Sequence, residues 1–219
     1  MHASKVGISR HLVTCWPRTA RDQGRPHELF HLRVEAERDP RYWLHLEILG
    51  SAQLVDIDDF LRRLWLECCG HLSMFRFPSR VHPRARADDE LDDDMGRTLA
   101  TALAGVDRFA YDYDFGSTTS LRLHVVGRQE APFQEGEKLR ILARNDPPTL
   151  VCGDCERPAS AVCSECCGVC YCDDHAGTHG CSREALLPIV DSPRMGVCGY
   201  DGPSVEPTPR IGPGSPPSG

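Results

Sequence analysis

Between Cys152 and Cys181 the chain reads CGDCERPASAVCSECCGVCYCDDHAGTHGC. Cys152-Gly-Asp-Cys155 and Cys163-Ser-Glu-Cys166 are followed by Cys172-Asp-Asp-His175 and His179-Gly-Cys181. A segment this short, with hardly any large aliphatic side chains, cannot bury enough apolar surface to offset the entropy of ordering its backbone. Eight of its ten cysteines and histidines instead have the spacing of two tetrahedral zinc sites. A Cys-x-x-Cys knuckle supplies two ligands from one tight turn and needs a second pair from elsewhere. Neighbouring pairs in a short segment interleave, so Cys152, Cys155, Cys172 and His175 are assigned to one zinc, and Cys163, Cys166, His179 and Cys181 to the other. Cys167 and Cys170 lie near enough in sequence to replace Cys166. Three thiolates and one imidazole complete each tetrahedron, so both ions are expected to be structural. Binding of such ions releases about 10–16 kcal/mol in small peptides, enough to fold a segment with no core. A disulfide framework is the competing reading of twelve cysteines. The knuckle spacing, the interspersed histidines and the lack of a secretory signal favour metal.

The 219 residues, 40% hydrophobic and 26% charged, allow one ordinary domain beside this small one. Formal net charge is −7; six thiolates add six negative charges and two zinc ions return four positive, giving −9. That balance argues against indiscriminate binding to nucleic acid or anionic membrane. No apolar run approaches the roughly 20 residues that span a bilayer, and the opening residues lack the apolar core of a signal peptide. A cytoplasmic location follows as the expectation.

Residues 1–27 carry scattered arginines without sustained periodicity and are expected to form a flexible basic extension. Residues 28–146 carry the pattern of a folded α+β domain. Phe30, Leu32 and Val34 alternate with polar neighbours, as do Tyr42, Leu44, Leu46 and Ile48 after a turn at Asp39-Pro40, predicting a strand pair. Asp56 is expected to cap a helix whose apolar stripe is Ile57, Phe60, Leu61, Leu64, Trp65 and Cys68, with Gly70 as its stop. Cys68, Cys69 and His71 invite a metal reading, but adjacent cysteines on a helix point apart and chelate poorly. Short strands are expected at 72–77 and 139–142, and a short helix at 95–103. Arginines 76–86 precede the carboxylates 88–94, and the two blocks are read as neutralising one another on a loop.

Alternation on both sides of Gly116 predicts a β-hairpin with an odd loop, in which Phe115 faces Leu121, Tyr113 faces Leu123 and Tyr111 faces Val125. The other side would set Asp114 against Arg122 and Asp112 against His124, the latter a candidate acid/base pair. After the zinc segment, residues 186–200 offer apolar surface that can fold back on the metal sites. Cys198 has no partner by spacing. Pro, Gly and Ser dominate from Asp201, and residues 202–219 are expected to be a disordered tail.

Phe60–Phe75, Tyr111–Thr119, Ile141–Asp146, the knuckles and Leu187–Tyr200 together resemble the plasmid pRi open-reading-frame-three-like family, members of which are often labelled insertion-element passengers. The resemblance implies an antiparallel sheet with packed helices over 28–146 and a cysteine-rich module over 150–201, in a protein of bacterial or mobile-element origin. It carries no activity across. The sequence therefore reads as a non-catalytic zinc-binding protein that presents surfaces to a protein partner, with no small-molecule substrate and no membrane. A nucleic-acid-associated accessory role, through the arginines of 1–38 and 76–86, is the first alternative. An enzyme built on Asp112 and His124 is the second.

Overall fold

The computed structural model describes residues 5–16, 24–84 and 94–204. Alternating sequence becomes strand wherever one side can be covered. The strands are β1 (Pro26–Ala36), β2 (Trp43–Leu49), β3 (Ser73–Phe77), β4 (Arg80–Arg84), β5 (Arg108–Tyr113), β6 (Thr119–Pro132) and β7 (Leu139–Arg144). They form one antiparallel sheet in the order β4-β3-β5-β6-β1-β2-β7. Phe30, Leu32 and Val34 of β1 share a face with Leu44, Leu46, Ile48, Phe75, Tyr111 and Leu123. Ile57, Leu61, Leu64 and Trp65 close over that face.

Those four residues come from α2 (Leu54–Leu61) and the wider π-type turn Arg62–Leu66 that continues it. The helix begins one turn earlier than its acidic residues suggest. Gln53 is the capping residue, and Asp56, in the first turn, accepts the Gln53 N–H at 2.8 Å. It also ends earlier: Glu67 is already extended (φ −69°, ψ 121°), so Cys68 and Cys69 lie beyond the helix rather than on its stripe.

The opposite face is covered as well, which differs from the expectation of a flexible extension over 1–27. Residues Lys5–Cys15 form α1, and Ile8, Leu12 and Trp16, spaced four apart, pack on Leu29, Ala131, Phe133 and Leu142. Under this helix His31 Nε2 meets His45 Nδ1 at 2.8 Å, and Ser9 Oγ reaches His45 Nε2 at 3.0 Å. Trp16 Nε1 donates to Glu47 Oε1 at 2.5 Å. The other residues of the expected arm, 1–4 and 17–23, lie outside the described residues, as do 85–93 with most of the acidic run, and 205–219 of the tail.

The hairpin keeps the expected faces but not the expected partners. Tyr113 pairs with Thr119, Tyr111 with Leu121 and Phe109 with Leu123, so the partner of each tyrosine lies four residues nearer the turn than expected. The loop is odd, 114–118, and the parity argument survives for that reason. The turn tightens because Asp114 adopts a left-handed conformation (φ 63°), its carboxylate taking the Gly116 N–H at 2.9 Å. Phe115 is left exposed.

Helix and sheet are joined by one buried carboxylate. Asp58, fully buried on α2, accepts from Tyr111 Oη and Ser73 Oγ at 2.6 Å each, and from Arg62 Nε at 2.8 Å. Arg84 also donates to it and reaches Asp59 at 2.5 Å. Burial, then the neighbouring Asp58 charge, push the Tyr111 hydroxyl well above its ordinary range, so it stays a donor.

The cysteine-rich segment folds on a small sheet, β10-β8-β9, made of β8 (Ala161–Cys163), β9 (Val169–Tyr171) and β10 (Leu186–Pro188), with α4 (Asp173–Thr178) after β9. The remaining helix of the large domain is α3 (Leu99–Ala102), within the stretch expected to be helical. Of the stretch expected to fold back on the cysteine-rich segment, residues 186–188 do so as β10, while residues 191–204 run back over the large domain as a strap. Asp191 takes the Asn145 amide at 2.7 Å and the Arg144 guanidinium; Ser192 Oγ donates to Trp65 O at 2.6 Å; Ser204 N–H donates to Arg63 O at 3.0 Å. Tyr200, within the strap, is fully buried. Among the described residues no helix is long and apolar enough to cross a membrane.

Removing the Asp58 carboxylate strands two guanidinium groups and two hydroxyl donors in or near the core. Asp58→Ala is therefore expected to lower stability by about 3–5 kcal/mol in urea unfolding; a change under 1 kcal/mol would contradict this account of the interface. Burial also lowers the His31 pKa from 6.5 to about 4. The unfolded chain takes up that proton below its ordinary pKa while the folded chain refuses it until about pH 4, so the stability His31 contributes is complete above 6.5 and is lost as pH falls toward 4. In a histidine-ring NMR titration, the His31 signal should stay flat through pH 6.

Candidate metal centres

The knuckle sequences fold as tight turns because their sulfurs accept backbone N–H groups. Cys152 follows the isolated bridge at Val151, and its backbone N–H is donated to Arg157 O at 2.7 Å, closing the turn that carries Cys155. Cys172 stands at the N-terminus of α4 and His175 one turn inside it. The sulfur and imidazole ligand atoms of Cys152, Cys155, Cys172 and His175 all lie within 4.8 Å of one another. Cys155 and Cys172 are 3.7 Å apart, and His175 Nδ1 is 3.2 Å from Cys152 and 3.6 Å from Cys172.

Cys163 ends β8, Cys166 lies in the following turn, and His179 and Cys181 follow α4, forming a second group within the same 4.8 Å limit. Cys166 Sγ is 3.4 Å from His179 Nε2 and 3.5 Å from Cys181 Sγ. Tyr171 packs against the His179 ring, the centroids 4.3 Å apart and the planes tilted by 35°. The turn itself separates Cys166 from its competitors. Cys167 (φ 53°) and Gly168 (φ 82°) are both left-handed, which leaves Cys167 exposed, while Cys170 Sγ faces Gly168 O at 3.7 Å.

Charge makes these groups demanding. Burial raises the Cys152 thiol, yet hydrogen bonds from backbone N–H groups and from His175 overcome it and hold it at about 6. Cys163 is held at about 7 by the same opposition of burial and backbone donors. Cys181, hydrogen-bonded to Cys166 and buried, is pushed up to about 12. Some thiols of each group ionise readily and others resist, because thiolates under 4 Å apart repel; a divalent cation among them removes that repulsion. The first group has a further cation beside it. Arg157 donates to Cys155 Sγ and Cys172 Sγ, both at 3.3 Å, and to Asp174 at 2.8 Å.

The candidate acid/base pair is not assembled. Asp112 pairs with Ser120 across the sheet and takes Arg76 Nε at 2.5 Å, while His124 faces Arg108. Burial, then the Arg33 and Arg108 charges, lower the His124 pKa, and among the described residues no carboxylate reaches it as a hydrogen-bond partner. Of the arginine block, Arg84 is committed to Asp58 and Asp59, and His82 Nδ1 meets Asp94 at 2.5 Å.

One gathering was set aside in the sequence, on the expectation that Cys68 and Cys69 lie on a helix and chelate poorly. Cys68, Cys69, His71 and Cys198 place their ligand atoms within 4.8 Å of one another, so three groups able to bind metal are present among the described residues. Spacing could not signal it, since Cys198 lies 127 residues beyond His71.

No family model matches the chain, and no curated protein matches it. Among solved structures, the chain is similar to the crystal structure of a protein of unknown function from Methanosarcina mazei Go1, at 17% identity and a TM-score of 0.44, over 54% of this chain and 69% of that one.

Arg157 neutralises two thiolates of the first group without being a ligand. Arg157→Ala should weaken divalent-metal binding there about tenfold in competition with a chromophoric chelator, and leave the second group unchanged. Equal weakening of both would show that Arg157 acts through the fold instead.

Proposed function

We propose that this chain is a zinc-stabilised, non-catalytic protein whose small module docks a protein partner. The observation that supports the reading most directly is the donor set: each module group offers three sulfurs and one imidazole, all protein atoms, gathered to the size of a zinc tetrahedron. Four such donors fill the coordination sphere and leave no place for a substrate. The ions then serve as the module's core, and its outer surface is what remains for function. Val151 and Val169 are about half exposed there, at 53% and 41%. Gly153 bridges them: its N–H is donated to Cys170 O at 2.9 Å, and a methyl group added to it would meet Val169 at 3.1 Å. Asp154, Asp173 and Asp174 are also exposed on the module. A partner surface with an apolar centre and basic rim complements it.

A second reading has one observation in its favour. Arg33, Arg76, Arg108 and Arg122 line a cleft of about 510 Å³ on the sheet face opposite α2, a surface that an accessory nucleic-acid-binding protein would use. Arg76 and Arg33 are already paired with Asp112 and Glu35, which reduces the free positive charge.

Affinity capture from host extract separates the two. The tagged chain should retain a protein partner after nuclease treatment and at 0.3 M salt, and Val151→Asp with Val169→Asp should release it while zinc content is unchanged. Recovery of nucleic acid alone, lost steeply as salt rises, would replace this reading with the second.

A further inference from the structure

We propose that Cys68, Cys69, His71 and Cys198 form a third closed zinc site, which clamps the strap to the large domain. Zn–S bonds of about 2.3 Å and Zn–N bonds of about 2.0–2.1 Å give tetrahedral edges of about 3.8 Å between sulfurs and about 3.5 Å from sulfur to nitrogen. Cys69 Sγ lies 3.8 Å from both Cys68 Sγ and Cys198 Sγ. His71 Nε2 lies 3.0 Å from Cys69 Sγ and 3.2 Å from Cys198 Sγ. These separations match those of the module's two groups. Adjacent cysteines can both contribute because the chain leaves the helix at Glu67; Gly70, left-handed at φ 77°, then turns His71 back toward them.

The surroundings are those of a metal ligand set. His71 turns its other ring nitrogen, Nδ1, to Asp114 Oδ1 at 3.5 Å, so a carboxylate stands behind the imidazole and favours Nε2 as the free ligand atom. Asp114 is fixed by Arg194 Nη2 at 2.7 Å, and the Tyr113 ring meets His71 edge-on at 5.7 Å. Three thiolates and Zn²⁺ leave one net negative charge, and Arg194 Nη2 is 3.6 Å from Cys68 Sγ. Arg194 thus stands to this group as Arg157 stands to the first. It is fully buried and is held by Ser117 O at 3.0 Å and Thr119 Oγ1 at 3.1 Å.

Cys198 is delivered by a strained turn. It adopts φ 51° between Gly196 at 77° and Gly199 at 68°, a conformation that a non-glycine residue avoids unless something holds it. Coordination supplies that hold. Gly196 also lies against Val162 of β8, a Cβ there falling 3.1 Å from its side chain, so a clamp on the strap fixes one side of the module as well.

Native mass spectrometry of the full, reduced, zinc-loaded chain tests this. Wild type should carry one zinc more than Cys198→Ser and one more than Cys69→Ser, and Cys198→His, which keeps a ligand, should restore it. Hydrogen exchange of residues 192–200 should quicken at least tenfold in Cys198→Ser, while the protection of β1 and β2 is retained and shows that the domain is folded. The difference between chains reads this site alone, so a failure of the module groups to load would leave the result interpretable. Equal zinc content in wild type and Cys198→Ser would overturn the proposal, as would a Cys69–Cys198 disulfide that survives in the reduced chain.

Discussion

Thiolates brought within 4 Å of one another repel, and the cysteine-rich module of this protein is arranged around relieving that repulsion. Backbone N–H groups of the knuckles lower some of the thiols, Arg157 lowers others, and Cys181 stays protonated beside Cys166. None of these devices supplies two positive charges at one point. The module has a three-stranded sheet of three-residue strands and a single-turn helix, too little apolar surface to hold itself together. A cation bound in each group would do what a core does elsewhere.

The large domain solves the same problem with carbon instead. Its sheet is covered on one face by α2 and on part of the other by α1, so β1 and β2 are buried on both sides. The charged groups deepest inside are held by partners. Asp58 draws two hydroxyl donors and two arginines; Glu47 draws Trp16 and Arg140; the two histidines under α1 meet each other. The strap from residue 191 then adds a polar seam. Asp191, Ser192 and Arg194 each bond to groups of the large domain that come from β7, the end of α2 and the β5–β6 turn. The polypeptide thus returns to the domain it left at residue 145, with the module as a loop between.

Much of this was legible as pattern. Period-two alternation located β1, β2 and the β5–β6 hairpin, since a strand covered on one face has no other way to separate apolar from polar side chains. Parity placed Tyr111, Tyr113, Leu121 and Leu123 on one side even though each tyrosine's partner was assigned four residues too far along the second strand. The exact pairing was decided by Asp114 and Arg194, which stand 80 residues apart and carry no local signal. The helix α1 was read as a loose arm because its stripe of Ile8, Leu12 and Trp16 is short and sparse; what makes it a helix is the sheet beneath it.

The amino-acid order determined by itself the knuckles, their interleaved pairing and the strand periodicity, because those depend on neighbours within a few residues. The tertiary structure alone decided which side chains of distant segments meet: Asp58 with Arg84, Arg194 with Asp114, and Cys198 with Cys68, Cys69 and His71. Such meetings depend on how the sheet positions the end of α2 beside the returning strap, and spacing along a chain holds no record of that distance.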